Sequence, residues 1–342
     1  MEPEEQAAAD DVVCRAVLGR NHRDDGRNKL LRQLIDVNMS LLGGFNVEDY
    51  FPSLAVADVF TGMVVCPRAR RVRKRWDKLL HKLIDEHGRQ REQDDASADF
   101  IHVLLAQQEE YGLTTDNVKA ILLDMFEAGT ETTYLVLEFA MAELMNNPHV
   151  MAKLQAEVRR RRAPAVAVGK DEGDLQQDVV TEEELGDMAY LKATVKETLR
   201  LHPPVPLLLP HLSIADCEVD GYVIPAGTRL MVNAWALARD PASWEAPDEF
   251  APERFLQGGS AAAVDSKGKD FEFLSFGSGR RICPGINFAN TAVEMMLANL
   301  MYHFDWELPA GTKEVDMSEV FSLSIRRKEK LLVPTPRSCR EE

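Results

Sequence analysis

Along most of the chain, apolar residues return every three or four positions, the spacing of helices that bury one face. Amphipathic helices are predicted over Asp10–Leu18 and Lys29–Leu42, followed by a turn-rich stretch from Gly43 to Pro52. A longer one covers Arg68–Glu86, with Val72, Trp76, Leu79, Leu80 and Leu83 on its inner face, and a short one covers Phe100–Ala106. Between them Arg89–Ala98 reads as a surface loop. Thr114 or Thr115 caps the longest run, which continues to Asn146 and is apolar on most sides, as a helix through the middle of a fold is. Pro148 opens the next helix, Ala163–Val180 reads as a loop, and Thr181 with Glu184 forms a capping box. A helix from Met188 to Leu201 stops at His202-Pro203-Pro204. Asp220-Gly221 then joins two short strands in a hairpin, and Gly227–Asn233 adds another strand. The last helix runs from Ile286 to about His303. The expected fold class is mainly α with a small β part.

Charge changes this picture little. The 342 residues carry 56 acidic and 40 basic side chains, a net −16 that argues against nucleic acid as the main partner. Basic residues still cluster at Arg68–Arg75, Arg159–Arg162 and Arg326–Lys330, as solvated faces or as docking patches for an acidic redox partner. Five cysteines without a C-x-x-C pair fit a reducing compartment and exclude a disulfide scaffold or zinc ribbon. The polar, acidic start is neither a signal nor a transit peptide, and no apolar run approaches the ~18 residues that span a bilayer. As written, the chain reads as soluble and cytosolic.

The sharpest chemistry lies in Phe276-Gly277-Ser278-Gly279-Arg280-Arg281-Ile282-Cys283-Pro284-Gly285. Pro284 suits a first helical position, which would put Cys283 at the N-cap of the last helix. There the helix dipole and nearby arginines would favour thiolate. Gly277 and Gly279 permit a tight loop, Gly285 removes bulk where a flat cofactor must approach, Phe276 can shield the sulfur, and Arg281 offers a cation to a carboxylate. Five fixed positions (Phe276, Gly279, Arg281, Cys283, Gly285) coincide by chance with probability on the order of 10⁻⁴ or less. A second segment, Ala128-Gly129-Thr130-Glu131-Thr132-Thr133, sits midway along the long helix. Ala128 and Gly129 make a flat spot, Thr132 can bond the carbonyl of Ala128, and Glu131 is an acid in apolar surroundings. Read alone, this segment is a kinked core helix with a satisfied threonine. Glu197 and Arg200 are three residues apart on one helix, a common pair that by itself means little.

Together these segments resemble the cytochrome P450 family of haem-thiolate monooxygenases, and its plant microsomal A-type branch in particular. The resemblance rests on Phe-x-x-Gly-x-Arg-x-Cys-x-Gly at 276–285, the Ala/Gly-Gly-x-Asp/Glu-Thr-Thr/Ser segment at 128–133, Glu-x-x-Arg at 197–200 and Pro252-Glu253-Arg254-Phe255. It implies Cys283 as axial ligand of haem b, Arg281 and His211 at the haem propionates, and Glu131 with Thr132 as the proton-delivery pair. It implies a structural network of Glu197, Arg200 and Arg254. A largely apolar pocket would be lined by Ile121, Met125, Val205, Leu208 and Phe321. The implied reaction is hydroxylation of a small, largely apolar molecule of plant specialised metabolism, using O2 and electrons from NADPH through an NADPH-cytochrome reductase. By family the place is the cytosolic face of the endoplasmic reticulum membrane. The resemblance makes residues 1–342 a single partial domain of the P450 fold. It lacks the family's N-terminal anchor, first sheet and propionate-binding helix. Two other readings are a non-catalytic truncated product and a reductase-independent haem-thiolate isomerase or dehydratase, against which Thr132 counts.

Overall fold

Thr114 opens a helix of 32 residues, second in length to one of 35 earlier in the chain: its hydroxyl accepts the amide of Asn117 at 3.2 Å, satisfying a donor that the helix itself leaves unpaired. In the computed structural model, which describes residues 11–18, 27–43, 51, 56–90, 99–167, 179–329, 331 and 337–338, this helix runs unbroken over Thr115–Asn146. Before it come α1 (residues 11–18), α2 (Arg27–Leu42), α3 (Val56–Gln90) and α4 (Phe100–Ala106), which make it α5. α6 (Pro148–Ala167), α7 (Glu182–Leu185) and α8 (Ala189–Leu201) follow. After the short strands β1 (His211–Leu212), β2 (Cys217–Val219), β3 (Tyr222–Ile224) and β4 (Arg229–Leu230) come α9 (Ala234–Leu237) and α10 (Ile286–His303). Four more short strands close the order: β5 (Phe304–Asp305), β6 (Glu319–Phe321), β7 (Ile325–Arg327) and β8 (Arg337–Ser338). The strands pair two by two as β1–β4, β2–β3, β5–β8 and β6–β7. Among the described residues no helix is long and apolar enough to cross a membrane.

The fold gathers into two compact units. One holds the described residues up to Tyr134 together with Phe321–Ser324, and the other holds Leu135–Val320 and those from Ile325 onward. In the first, Val13, Val17, Leu34, Trp76, Leu80, Leu83, Ile101, Leu122 and Phe126 form one buried cluster. In the second, Leu137, Met141, Leu144, Leu154, Leu191, Leu199, Phe273, Leu297 and Met301 do the same. The first cluster is drawn from helices that bury one face, the arrangement that periodic apolar residues specify, whereas the second adds Phe273 from outside any helix and the 135–145 stretch of α5, buried on every side.

Several boundaries depart from expectation. α3 starts at Val56, not Arg68, and carries Pro67 inside it. Proline deletes one backbone donor there, and the helix continues because buried Val72, Trp76, Leu79, Leu80 and Leu83 anchor its later turns. α6 continues to Ala167, where a loop from Ala163 was expected; residues 168–178 of that loop lie outside the described residues. So do 44–50 and 52 of the turn-rich stretch and 91–98 of the Arg89–Ala98 loop, whose first two residues end α3. The strand expected over Gly227–Asn233 shrinks to Arg229–Leu230, opposite Leu212 and His211. In the β2–β3 hairpin, Asp220 and Gly221 take φ of 50° and 80°, the left-handed pair of a tight two-residue turn.

Candidate active site

The cysteine loop closes on itself through the backbone. The amide of Cys283 donates to the carbonyl of Phe276 at 2.9 Å, that of Ile282 to Gly279 at 3.2 Å, and that of Gly277 to Leu274 at 2.8 Å. Gly277 and Gly279 have φ of 73° and 69°; a Cβ on Gly279 would meet nothing, so backbone conformation, not crowding, demands glycine there. Cys283 is half-buried. Its sulfur receives the amide of Gly285. α10 begins at Ile286 with Gly285 as its N-cap, so the expectation of Cys283 at the N-cap is corrected by two residues: Pro284 and Gly285 form a turn before the helix. The expected preference for thiolate is corrected too. Burial pushes the thiol above its ordinary value, the Gly285 amide pulls it down less, and Arg280 and Arg281 are exposed to solvent. Phe276 is half-buried.

The loop is braced from two sides by groups that lie outside its motif. The Ser275 hydroxyl donates to the Leu199 carbonyl at 2.6 Å, tying the loop's entry to α8. The Ser278 hydroxyl donates to the Gly268 carbonyl at 2.6 Å. Gly268, with φ 75°, is packed so closely that a Cβ would stand 2.9 Å from the Gly277 carbonyl oxygen and from Ile282 Cδ1. Leu208 also borders the loop, its Cδ1 4.0 Å from where a Gly277 Cβ would be. Val205 is half-buried a turn earlier, whereas His211 is exposed in β1 opposite Leu230.

Glu197, Arg200 and Arg254 meet in one buried network. Arg200, 0% exposed, donates to both carboxylate oxygens of Glu197 at 2.8 and 2.9 Å, and to the carbonyls of Ala238 and Pro247 at 2.6 and 2.7 Å. Arg254 adds a bond to Glu197 at 3.0 Å, and the amide of Ala251 another at 2.9 Å. The Pro252–Phe255 turn is what brings Arg254 to α8.

Next to it, His202 lies between two carboxylates. Its Nε2 is 2.7 Å from Glu143, its Nδ1 3.4 Å from Glu319, and its ring stacks on Phe139 at 4.4 Å. Burial, the largest single influence, works against the charged ring, but the bonds to Glu143 and Glu319 outweigh it and hold the pKa above its ordinary 6.5. A raised folded pKa means the stabilisation is complete below about pH 6.5 and is lost as pH rises through the higher folded value. His202→Gln should therefore lose most stability below about pH 6.5, and the gap to wild type in urea unfolding should narrow as pH rises above that value. A gap independent of pH would show that the ring is neutral in the fold.

In the other unit, α5 carries the second motif. The Thr132 hydroxyl donates to the Ala128 carbonyl one turn back, and Thr132 and Gly129 are half-buried while Ala128 is exposed. Glu131 is buried, and its carboxylate accepts the Ser324 hydroxyl at 2.5 Å. One turn earlier lies Glu127, which accepts the Asn38 amide at 2.6 Å. Burial pushes its carboxyl up to about 7; Asn38 pulls the other way, and Asp124 and Glu131 add to the rise. Ile121 and Met125 are half-buried on the same helix, and the side chain of Phe321, at the end of β6, lies outside the described residues.

Comparison with known proteins decides what these groups belong to. The family model described as cytochrome P450 matches residues 4–333, which takes in both units. The chain belongs to the cytochrome P450 family. Among its P450 relatives, the indolin-2-one monooxygenase of Zea mays is 59% identical over 94% of this chain and 60% of its own length. The indole-2-monooxygenase of Zea mays is 56% identical over 94% and 59%, and the tryptamine 5-hydroxylase of Oryza sativa subsp. japonica 43% over 96% and 62%. The chain thus spans about 60% of the length of these relatives. A solved structure of a zebrafish cytochrome P450 with abiraterone superposes with TM-score 0.74 at 24% identity, covering 98% of this chain and 72% of that one. One with progesterone gives 0.76.

P450 proteins are haem proteins, and the residues of the cysteine loop fit such a group. Among the described residues, no three His, Cys, Asp or Glu side chains gather as a metal cage. A free, half-buried thiol that already receives a backbone amide suits a cofactor that brings its other iron ligands with it. Half-buried Leu208 at the loop and exposed Phe288 on the first turn of α10 offer apolar surface to a flat ring, and exposed Arg281 offers a cation. The braces at Ser275 and Gly268, and the partners Ser324, Asn38 and Glu127, were missed in the sequence. Gly268, between two lysines in a polar turn, was the one of these with a local signal.

Proposed function

We propose that this chain carries the catalytic part of a haem-thiolate monooxygenase that hydroxylates a small bicyclic nitrogen heterocycle of the indole and indolinone kind. The observation that carries the reading is the Cys283 sulfur, held by the Gly285 amide in a loop closed by Phe276. The substrate class follows the activities by which the Zea mays relatives are named, at 55–59% identity. Cys283 ligates the haem iron, Arg281 and His211 pair with the propionates, and Ala128 and Gly129 give the ring a flat helix surface. Haem, when bound, supplies the activation of dioxygen.

Glu131 and Thr132 deliver protons, and the apolar side chains of Ile121, Met125, Val205, Leu208 and Phe321 serve to orient substrate and exclude water. Overall, substrate, O2, two electrons and two protons become hydroxylated substrate and water. The electrons come from NADPH through a reductase at the endoplasmic reticulum.

The test is to supply residues 1–342 with haem, reduce the protein, add carbon monoxide and record the difference spectrum, then to assay indolin-2-one with reductase and NADPH. The strongly red-shifted Soret band of a thiolate complex, with NADPH-dependent hydroxylation, is the expected result. No haem uptake, or a band typical of a non-thiolate haem, would overturn the reading. Product formed without NADPH would mark an isomerase or dehydratase instead.

A further inference from the structure

Glu131 and Ser324 are 193 residues apart in the chain, yet they meet in the interior of one unit, 5% and 3% exposed. The loop that brings the hydroxyl there is held at its other residues as well. The Ser322 hydroxyl reaches the Met39 carbonyl at 3.5 Å, and Leu323 packs against the apolar cluster of that unit. Gly43 abuts the same loop so closely that a Cβ on it would stand 2.6 Å from the Leu323 amide nitrogen and from Ser322 Oγ. A donor fixed in this way does more than satisfy an acceptor: it selects one orientation of the carboxyl group.

We propose that Ser324 is a positioning residue for the acid Glu131, an inference that rests on the reading of Glu131 as a proton donor. By donating to one carboxylate oxygen, Ser324 fixes the Glu131 rotamer and leaves the transferable proton on the other oxygen. It also ties the acid to the segment that starts at Phe321, so that displacement of that segment by a bound molecule is felt at the acid. A proton leaving Glu131 is replaced from water, and Ser324 itself gives up none.

The experiment compares Ser324→Ala, Ser324→Thr, Glu131→Gln and the double variant Ser324→Ala/Glu131→Gln in the full 342-residue chain. In urea unfolding of the haem-free proteins the two single changes should be non-additive, because both act on the same bond: Ser324→Ala removes its donor, and Glu131→Gln turns its charged acceptor into a neutral amide oxygen. With haem, reductase, NADPH and indolin-2-one, Ser324→Ala should lower product formed per NADPH by about tenfold, less than the roughly 10²-fold that outright misplacement of a catalytic group can cost. The missing electron pairs should be recovered as hydrogen peroxide, one per O2 and two protons. Ser324→Thr should restore the ratio, and the double variant should be no worse than Glu131→Gln. Additive unfolding effects would overturn the proposal. So would a product ratio unchanged in Ser324→Ala but lowered in Glu131→Gln, which would make the bond a structural tie alone. A ratio unchanged in Glu131→Gln would sink the reading of the acid itself. Failure to take up haem would overturn the proposed function and the positioning role with it.

Discussion

Arg200→Met should destabilise the protein by roughly 3–5 kcal/mol, the usual consequence of removing one partner from a buried ion pair. Methionine fills much the same volume, so a cavity is not the cause. The loss comes from what stays behind. Glu197, itself fully buried, loses two charge-assisted bonds and keeps only Arg254 and the Ala251 amide. The carbonyls of Ala238 and Pro247 lose their donor as well. Urea unfolding followed by far-ultraviolet circular dichroism reads the change, and a loss below about 1 kcal/mol would mean the pair behaves as an exposed one. Removing all three charges together, as Glu197→Leu, Arg200→Met and Arg254→Leu, should cost less than Arg200→Met alone, since no charge is then stranded.

That network shows how far sequence carries and where it stops. Glu197 and Arg200 could be placed on one helix by spacing. Their burial could not be read that way, because it depends on Arg254, 54 residues beyond Arg200, and on carbonyls from the 238–249 segment. Long, largely apolar helices were legible: α5 and α10 end where their apolar runs end, because those runs are long enough to outweigh local ambiguity. α3 was cut short at Pro67, since a proline is a local signal and the packing that overrides it is not. The cysteine loop was legible as chemistry because its glycines and proline are contiguous. Its exact relation to α10 was not: Pro284 fits a first helical position and a preceding turn equally well, and the backbone chose the turn. Ser324 had no signal at all, for its partner lies 193 residues away. What sequence leaves out is what long-range contacts decide.

Cys283→Ala should abolish the red-shifted carbon monoxide band entirely while leaving the fold intact. Two features separate ligand loss from unfolding. The bond that closes the loop comes from the backbone amide of residue 283 to the Phe276 carbonyl, which alanine keeps. The side chain removed is half-buried and outside the large apolar clusters, so unfolding in urea should shift by no more than about 1 kcal/mol. The loss of the band should be complete because the loop itself holds no second thiol. Among the described residues the other free thiols are Cys14, buried in the other unit, and Cys217, exposed in β2. Cys283→Ser separates the two contributions of that sulfur. The hydroxyl can still accept the Gly285 amide, so the loop's geometry is retained, but oxygen is a poor soft donor to iron. A serine variant that binds haem without the thiolate band would assign the band to the sulfur and haem retention to the rest of the site. If the alanine variant kept the band, the ligand would have to be another cysteine, and the loop's resemblance to a haem site would count only as a turn that glycine makes possible.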